Sequence, residues 1–272
     1  MLNKTHEESI MKVFWIAVLI NTVCVFGQHD PNTSSPKKLI LMVAANSSVS
    51  AQTGWPIGVW AAEITHPYLA FIEAGYEVEI VSPNGGKIEF DNYSDPRDPS
   101  GYSAHDMISM GFIHTPSHMA LLEKTRRLDE INEKNYDAIF VCGGQSPMYT
   151  FIDNTKLHTL FAKFYESGKP SAAICHGTCI LLKAKLSNGQ YLIEGKTWTG
   201  FANSEEDFAD KAVGKKIQPF RIESEAGKMN NTNFITHNAF RPFAIRDGHL
   251  ITGQQQNSGT EAAKLVIEML GY

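Results

Sequence analysis

The sequence predicts an α/β fold, a mostly parallel sheet with helices on both faces, from three observations. Continuously apolar runs recur along the chain, as strands covered on both sides require. Segments with helical spacing separate them, which calls for right-handed crossovers and helices on the two sheet faces. The third observation is a short apolar strand that ends at Cys175 and passes directly into a helix.

In chain order, residues 39–45 form the first apolar run and the first strand. Helical spacing over 60–74 is expected to break at His66-Pro67, because proline disfavours helical geometry in the preceding residue. Gly75 stops that helix, and 77–82 is the second strand, completing a βαβ unit. Asn84-Gly85-Gly86 reads as a turn, and 91–101, with Pro96 and Pro99, as a long loop beside the sheet. Residues 137–142 are the next buried strand and end in Gly143-Gly144. A helix over 157–166, a strand over 171–174 and a helix from Cys175 to about Lys185 follow. The remainder reads as strand 196–200, helix 204–212, strand 234–236, strands over 244–252 around Asp247-Gly248, and a closing helix over 260–270.

The chain has 272 residues, 43% hydrophobic and 19% charged, with no repeats or low-complexity tracts, so one domain over 39–272 is expected. An apolar run over 13–25 behind Lys12 is short for a membrane span and suits a secretory signal. Cleavage is expected after Gly27, leaving a linker over 28–38 rich in Pro, Ser and Asn. The mature protein is then secreted or periplasmic, with no membrane contact. A net charge of −5, with Lys and Arg scattered, gives no nucleic-acid footprint.

The chemistry centres on Ala172-Ala173-Ile174-Cys175-His176-Gly177-Thr178. A buried strand running into a reactive side chain, a small residue and a helix has the pattern of a nucleophile elbow. Such a turn holds the nucleophile in a strained conformation at the strand's carboxyl edge, and Gly177 relieves a clash. The helix N-terminus is expected to favour the thiolate, which is the nucleophilic form. Cys142, Cys175 and Cys179 remain in the mature chain, an odd number that implies no disulfide framework. Cys179 reads as core packing, whereas Cys142 lies nearer the sulfur and could trap Cys175 in an oxidised off state. His66 reads as structural. Trp55, Met107, Met110 and Phe112, near predicted loops, read either as an exposed apolar patch of a non-enzymatic binding protein or, equally, as cover for the site or a homodimer contact.

Residues 53–83, 137–149, 172–184, 194–207 and 247–254 resemble the PfpI-like superfamily. The resemblance rests on Ala173-Ile174-Cys175-His176-Gly177 together with Glu194-Gly195-Lys196 and Thr199-Gly200-Phe201. That superfamily includes glutathione-independent glyoxalases, protein deglycases, PfpI-type amidases and heat-shock holding chaperones. Its fold is the flavodoxin-like sandwich of class I glutamine amidotransferases. The resemblance implies Cys175 as nucleophile, His176 as base and Glu206 as the carboxylate that orients it, with Glu205 as the alternative. It also implies that Glu63, in Glu63-Ile64-Thr65-His66-Pro67, approaches the sulfur and shares a proton with it, with a raised pKa. The amides of Gly144 and His176 would form an oxyanion hole. Cys142 stands where proline is common, and Gln145-Ser146 replaces a frequent His-Gly, so Gln145 and Glu205 are read as a substrate rim. The implied activity is a cofactor-independent cysteine lyase converting 2-oxoaldehydes, small carbonyl compounds, to 2-hydroxy acids. The alternatives are an amidase or hydrolase, or a non-enzymatic holding chaperone or redox sensor. No phosphate loop or metal-ligand spacing is present in the sequence, so no cofactor and no metal are expected.

Overall fold

Leu39–Val43 (β1) is apolar at every position, because both faces of the sheet that holds it are covered by helices. In the computed structural model, which describes residues 37–271, it lies inside an eight-stranded sheet. The expected signal segment and nearly all of the linker lie outside the described residues. The other strands are Glu77–Ser82 (β2), Asn84–Gly86 (β3), Thr125–Arg127 (β4), Ala138–Val141 (β5), Ser171–Ile174 (β6), Ala244–Asp247 (β7) and Leu250–Gly253 (β8). Their order is β7-β8-β6-β5-β1-β2-β4-β3. The six central strands are parallel, and an antiparallel pairing closes each edge, β7 on β8 and β3 on β4.

Strand alternation divides the core into two layers. Leu41, Val43, Ile139 and Val141 point to one face, where they meet Thr155–Glu166 and Trp198. Ile40, Met42, Ala138 and Phe140 point to the other, where they meet Ala61–Glu73 (α1) and the closing helix Gly259–Leu270. Asn154 caps the first of these helices by accepting from the Leu157 amide at 3.0 Å.

Four local expectations are corrected. α1 runs unbroken through Pro67, because tertiary packing outweighs the proline penalty: the ring sits against Gly259, where even a Cβ would come within 3.2 Å of it. Asn84–Gly86 is not a free turn but an edge strand, and Gly85 and Gly86 adopt positive φ there. The segment after Cys175 is a 3₁₀ helix ending at Leu182 rather than an α-helix to Lys185. Strands 196–200 and 234–236 shrink to a two-residue parallel pair, Thr197–Trp198 with Asn233–Phe234, outside the main sheet. Between β3 and β5, where sequence patterning gave no elements, lie the helices Met107–Ile113 and Pro116–Glu123.

Candidate active site

Parallel register brings the carboxyl ends of neighbouring strands to one edge: Val43 pairs with Val141, and Val141 with Ala173. The chain leaves β5 there through Gly143-Gly144 and leaves β6 through Cys175-His176, so the two turns meet. Cys175 has φ +54, left-handed backbone that an L residue adopts at a penalty of about 1–3 kcal/mol. Gly177 follows because a Cβ there would lie 2.6 Å from the Cys142 carbonyl oxygen. Thr178 Oγ1 donates to the Cys175 carbonyl at 2.6 Å and ties the elbow down.

His176 has its two ring nitrogens in different company. Nδ1 lies 3.7 Å from Cys175 Sγ, and Nε2 lies 3.0 Å from Glu206 Oε1. Glu206 comes from the first turn of the helix Asn203–Val213 (α2). The imidazole also stacks on Phe201, with ring centroids 4.2 Å apart. A carboxylate on one nitrogen and a stacked ring on the face leave the imidazole one orientation, with its other nitrogen toward the sulfur.

Glu63 sits in the first turn of α1 and is fully buried. Its Oε2 accepts from the Gly143 amide at 2.7 Å, while Oε1 is buried without an N–H or O–H partner. Burial pushes its pKa up to about 8, against the pull of the Cys175 thiol and the Gly143 amide, with a smaller push from Asp91. Glu63 therefore holds a proton at neutral pH.

Burial also drives the Cys175 thiol well above the usual thiol range, and the charge and hydrogen bond of Glu63 add to it. The amides of His176 and Gly144 point at the sulfur and pull the other way. The amides at the elbow thus favour the thiolate, and removal from water is the larger effect. The same two amides are those named for an oxyanion hole, and the structure brings both to the sulfur.

Glu205 does not line the site. It is fully buried and accepts from the Ala202 amide at 3.0 Å, the Phe240 amide at 2.9 Å and Gln254 Nε2 at 2.9 Å. Its role is to pin the start of α2 to neighbouring loops, which corrects its reading as a rim residue. Gln145 does line the site, with a buried, unpartnered Oε1. Asp91, which sequence reasoning passed over, accepts from the Gly58 amide at 2.8 Å and the Gln145 amide at 2.7 Å. Burial pushes its pKa up to about 6. Nothing in its Pro-rich surroundings set it apart in the sequence.

A cavity of about 250 Å³ opens above Cys175 and His176, walled by Trp55, Trp60, Tyr93, Tyr102, Phe201 and Phe240 among others. Two wider surface hollows do not reach the sulfur. Cys142 and Cys179 are buried, unoxidised thiols. Cys179 donates to the Pro147 carbonyl at 3.5 Å, in keeping with packing. The expected apolar patch splits: Trp55 walls the cavity, Phe112 is buried edge-on to Tyr68 at 5.3 Å, and Met107 is 73% exposed. His66 pairs with Asp106 at 2.8 Å.

The DJ-1/PfpI family profile matches residues 57–269. The chain belongs to the DJ-1/PfpI family. It is 31% identical over 238 residues to a probable glutathione-independent glyoxalase of Schizosaccharomyces pombe, covering 78% of this chain and 90% of that one. It is 28% identical to a glutathione-independent glyoxalase of Saccharomyces cerevisiae, covering 87% and 99%. Among solved structures it resembles the Rapid Encystment Protein 24 kDa of Francisella tularensis, with a TM-score of 0.76, 28% identity and coverage of 86% and 100%. Glyoxalase III of Candida albicans shares the fold, with a TM-score of 0.72, 22% identity and coverage of 85% and 97%.

Proposed function

We propose that this DJ-1/PfpI protein is a glutathione-independent glyoxalase, a cofactor-independent cysteine enzyme that converts a 2-oxoaldehyde and water to a 2-hydroxy acid. The observation that carries the reading is the buried, proton-holding carboxyl of Glu63 beside the Cys175 thiol. Curated relatives bearing that activity in their names, over most of their length, support it.

The residues divide the work as follows. The Cys175 sulfur adds to the aldehyde carbon, Glu63 takes the thiol proton as it gives its own to the carbonyl oxygen, and the resulting thiohemiacetal oxygen faces the amides of Gly144 and His176. His176 takes the hydrogen from that carbon as a proton and passes it to the adjacent ketone oxygen as the electron pair moves there, giving an enediol whose first hydroxyl then yields its proton to His176. Return of a proton to the second carbon gives a thioester of the 2-hydroxy acid. Water then cleaves the thioester and restores the thiol. Atoms and electrons balance without an outside oxidant, because one carbon is oxidised as its neighbour is reduced.

A second reading, hydrolysis of a small amide, draws on the Cys175–His176–Glu206 chain, in which the imidazole could activate water. The deciding experiment is turnover of methylglyoxal, small amides and peptides by purified protein and by Cys175→Ala. Lactate formation that vanishes with the thiol supports the glyoxalase. Release of amine without lactate transfers the site to the hydrolase reading. Export, with cleavage after Gly27, is part of the proposal and is tested separately below.

A further inference from the structure

The cavity is longer than the reacting end of a 2-oxoaldehyde requires. Glu206, Ala209, Ala212 and Val213 all line it from α2, a spacing that keeps them on one helix face. Seven helical residues advance about 10 Å, so the cavity continues well past the partner of His176. After Gly214, at φ +76, the chain folds back until the Ile217 amide donates to Asp210 at 2.8 Å. The next residue, Gln218, enters the same cavity wall. It is only 3% exposed, and its Oε1 is buried without a hydrogen-bond partner.

A buried amide left unpaired is destabilising, so a polar side chain kept in an aromatic wall marks where a ligand's polar group belongs. Gln145 has the same unpaired oxygen, but it follows Gly144, whose amide faces the sulfur, and so serves the reacting end. Gln218 has no such link to the sulfur. Among the described residues no Lys or Arg lines the cavity, Lys215 lying 4.8 Å from the centre of the Trp55 ring without joining the lining, and its carboxylate, Glu206, is taken up by His176. The site therefore suits a neutral ligand rather than a carboxylate or phosphate. Trp and Tyr walls accept an aromatic ring edge to face. A hydroxyl on that ring both donates and accepts, so it satisfies either end of an amide.

We propose that the site prefers a neutral aryl 2-oxoaldehyde carrying a ring hydroxyl, and that Gln218 is the specificity residue that binds this hydroxyl. The inference rests on the glyoxalase reading and narrows its substrate. Its test compares kcat/KM for methylglyoxal, phenylglyoxal and 4-hydroxyphenylglyoxal in the wild type and in Gln218→Leu. The hydroxylated ring is expected to exceed the plain ring by about tenfold in the wild type, the worth of one hydrogen bond to a neutral buried amide. In Gln218→Leu that ratio falls to about one. Gln218→Met repeats the comparison if the leucine variant does not fold. Binding gives a second readout, since 4-hydroxyacetophenone, which has no aldehyde, should quench tryptophan fluorescence at lower concentration than acetophenone only while Gln218 is present. Turnover of methylglyoxal with no hydroxyl preference, or a preference that survives in Gln218→Leu, overturns this inference alone. No turnover of any aldehyde, with Cys175→Ala and wild type alike, overturns the glyoxalase reading and this inference together.

Discussion

Replacing Glu63 by glutamine removes a titrating group while keeping an acceptor for the Gly143 amide, so its consequences follow from electrostatics. Glu63 moves from an ordinary 4.5 to about 8 in the folded protein. The folded state thus keeps a proton that the unfolded chain releases above 4.5, and stability must fall as pH rises until about 8, where folding no longer retains the proton. The slope is at most about 1.4 kcal/mol per pH unit, with a ceiling of roughly 4–5 kcal/mol over the window. Asp91, raised to about 6, has the same sign but is spent by pH 6, so the discriminating range is 6–8. Urea unfolding at stepped pH should show the wild type losing stability there and Glu63→Gln nearly flat. The variant should also bring thiolate absorbance to lower pH, because the negative charge that repels it is gone, while turnover falls roughly 10²- to 10⁴-fold without a matching loss of binding. An unchanged stability slope, with titration and turnover unmoved, would make Glu63 a bystander and remove the isomerisation mechanism.

Glu206→Gln should act through the imidazole instead: addition to Cys175 persists, while steady-state turnover drops by roughly 10²- to 10⁴-fold. Iodoacetamide should mark Cys175 first in a mass map, because Cys175 lines the cavity while Cys142 and Cys179 are fully buried away from it; faster labelling of either contradicts the assignment. Gly177→Ala should unfold more readily, by roughly 1–3 kcal/mol in a denaturant titration, since its methyl meets the Cys142 carbonyl. Intact mass of exported protein should begin at Gln28, within a residue or two, and a species retaining Met11 refutes the cleavage site.

Central strands were legible because burial on both faces writes itself as an unbroken apolar run, as in Leu39–Val43 and Ala138–Val141. The elbow was legible for the same reason, since its strand ends abruptly at a thiol followed by His and Gly. Asn84–Gly86 escaped because an edge strand of Asn and Gly takes its structure from its partner β4, not from its own pattern. Pro67 misled because the cause of helix continuity, contact with Gly259, lies almost two hundred residues away. The resemblance implies Glu206 with Glu205 as the alternative, and the structure separates them by helix geometry: adjacent residues point about 100° apart, one to His176 and one to the Phe240 loop. Gln218 left no trace, because one glutamine between Ile217 and Pro219 acquires meaning only when the chain folds back along α2.

The thiol and the carboxyl pose one electrostatic problem. Glu63 lies in the first turn of α1, where helix amides favour a carboxylate by about 0.3–1 kcal/mol and up to ~2 kcal/mol in partly buried settings. Its rise to about 8 means that loss of water outweighs both that field and the Gly143 amide. Cys175 meets the same imbalance, with two amides facing its sulfur and burial still dominant. Two acids in one dry space cannot both be charged, so the second ionisation is driven up by the first and the pair titrates as a unit. A thiolate therefore forms most readily when Glu63 keeps its proton, and that proton is then adjacent to the sulfur when a thioester must be released. On this reasoning the raised pKa values are not a defect of the nucleophile. They are what keeps a neutral carboxyl available beside it near neutral pH.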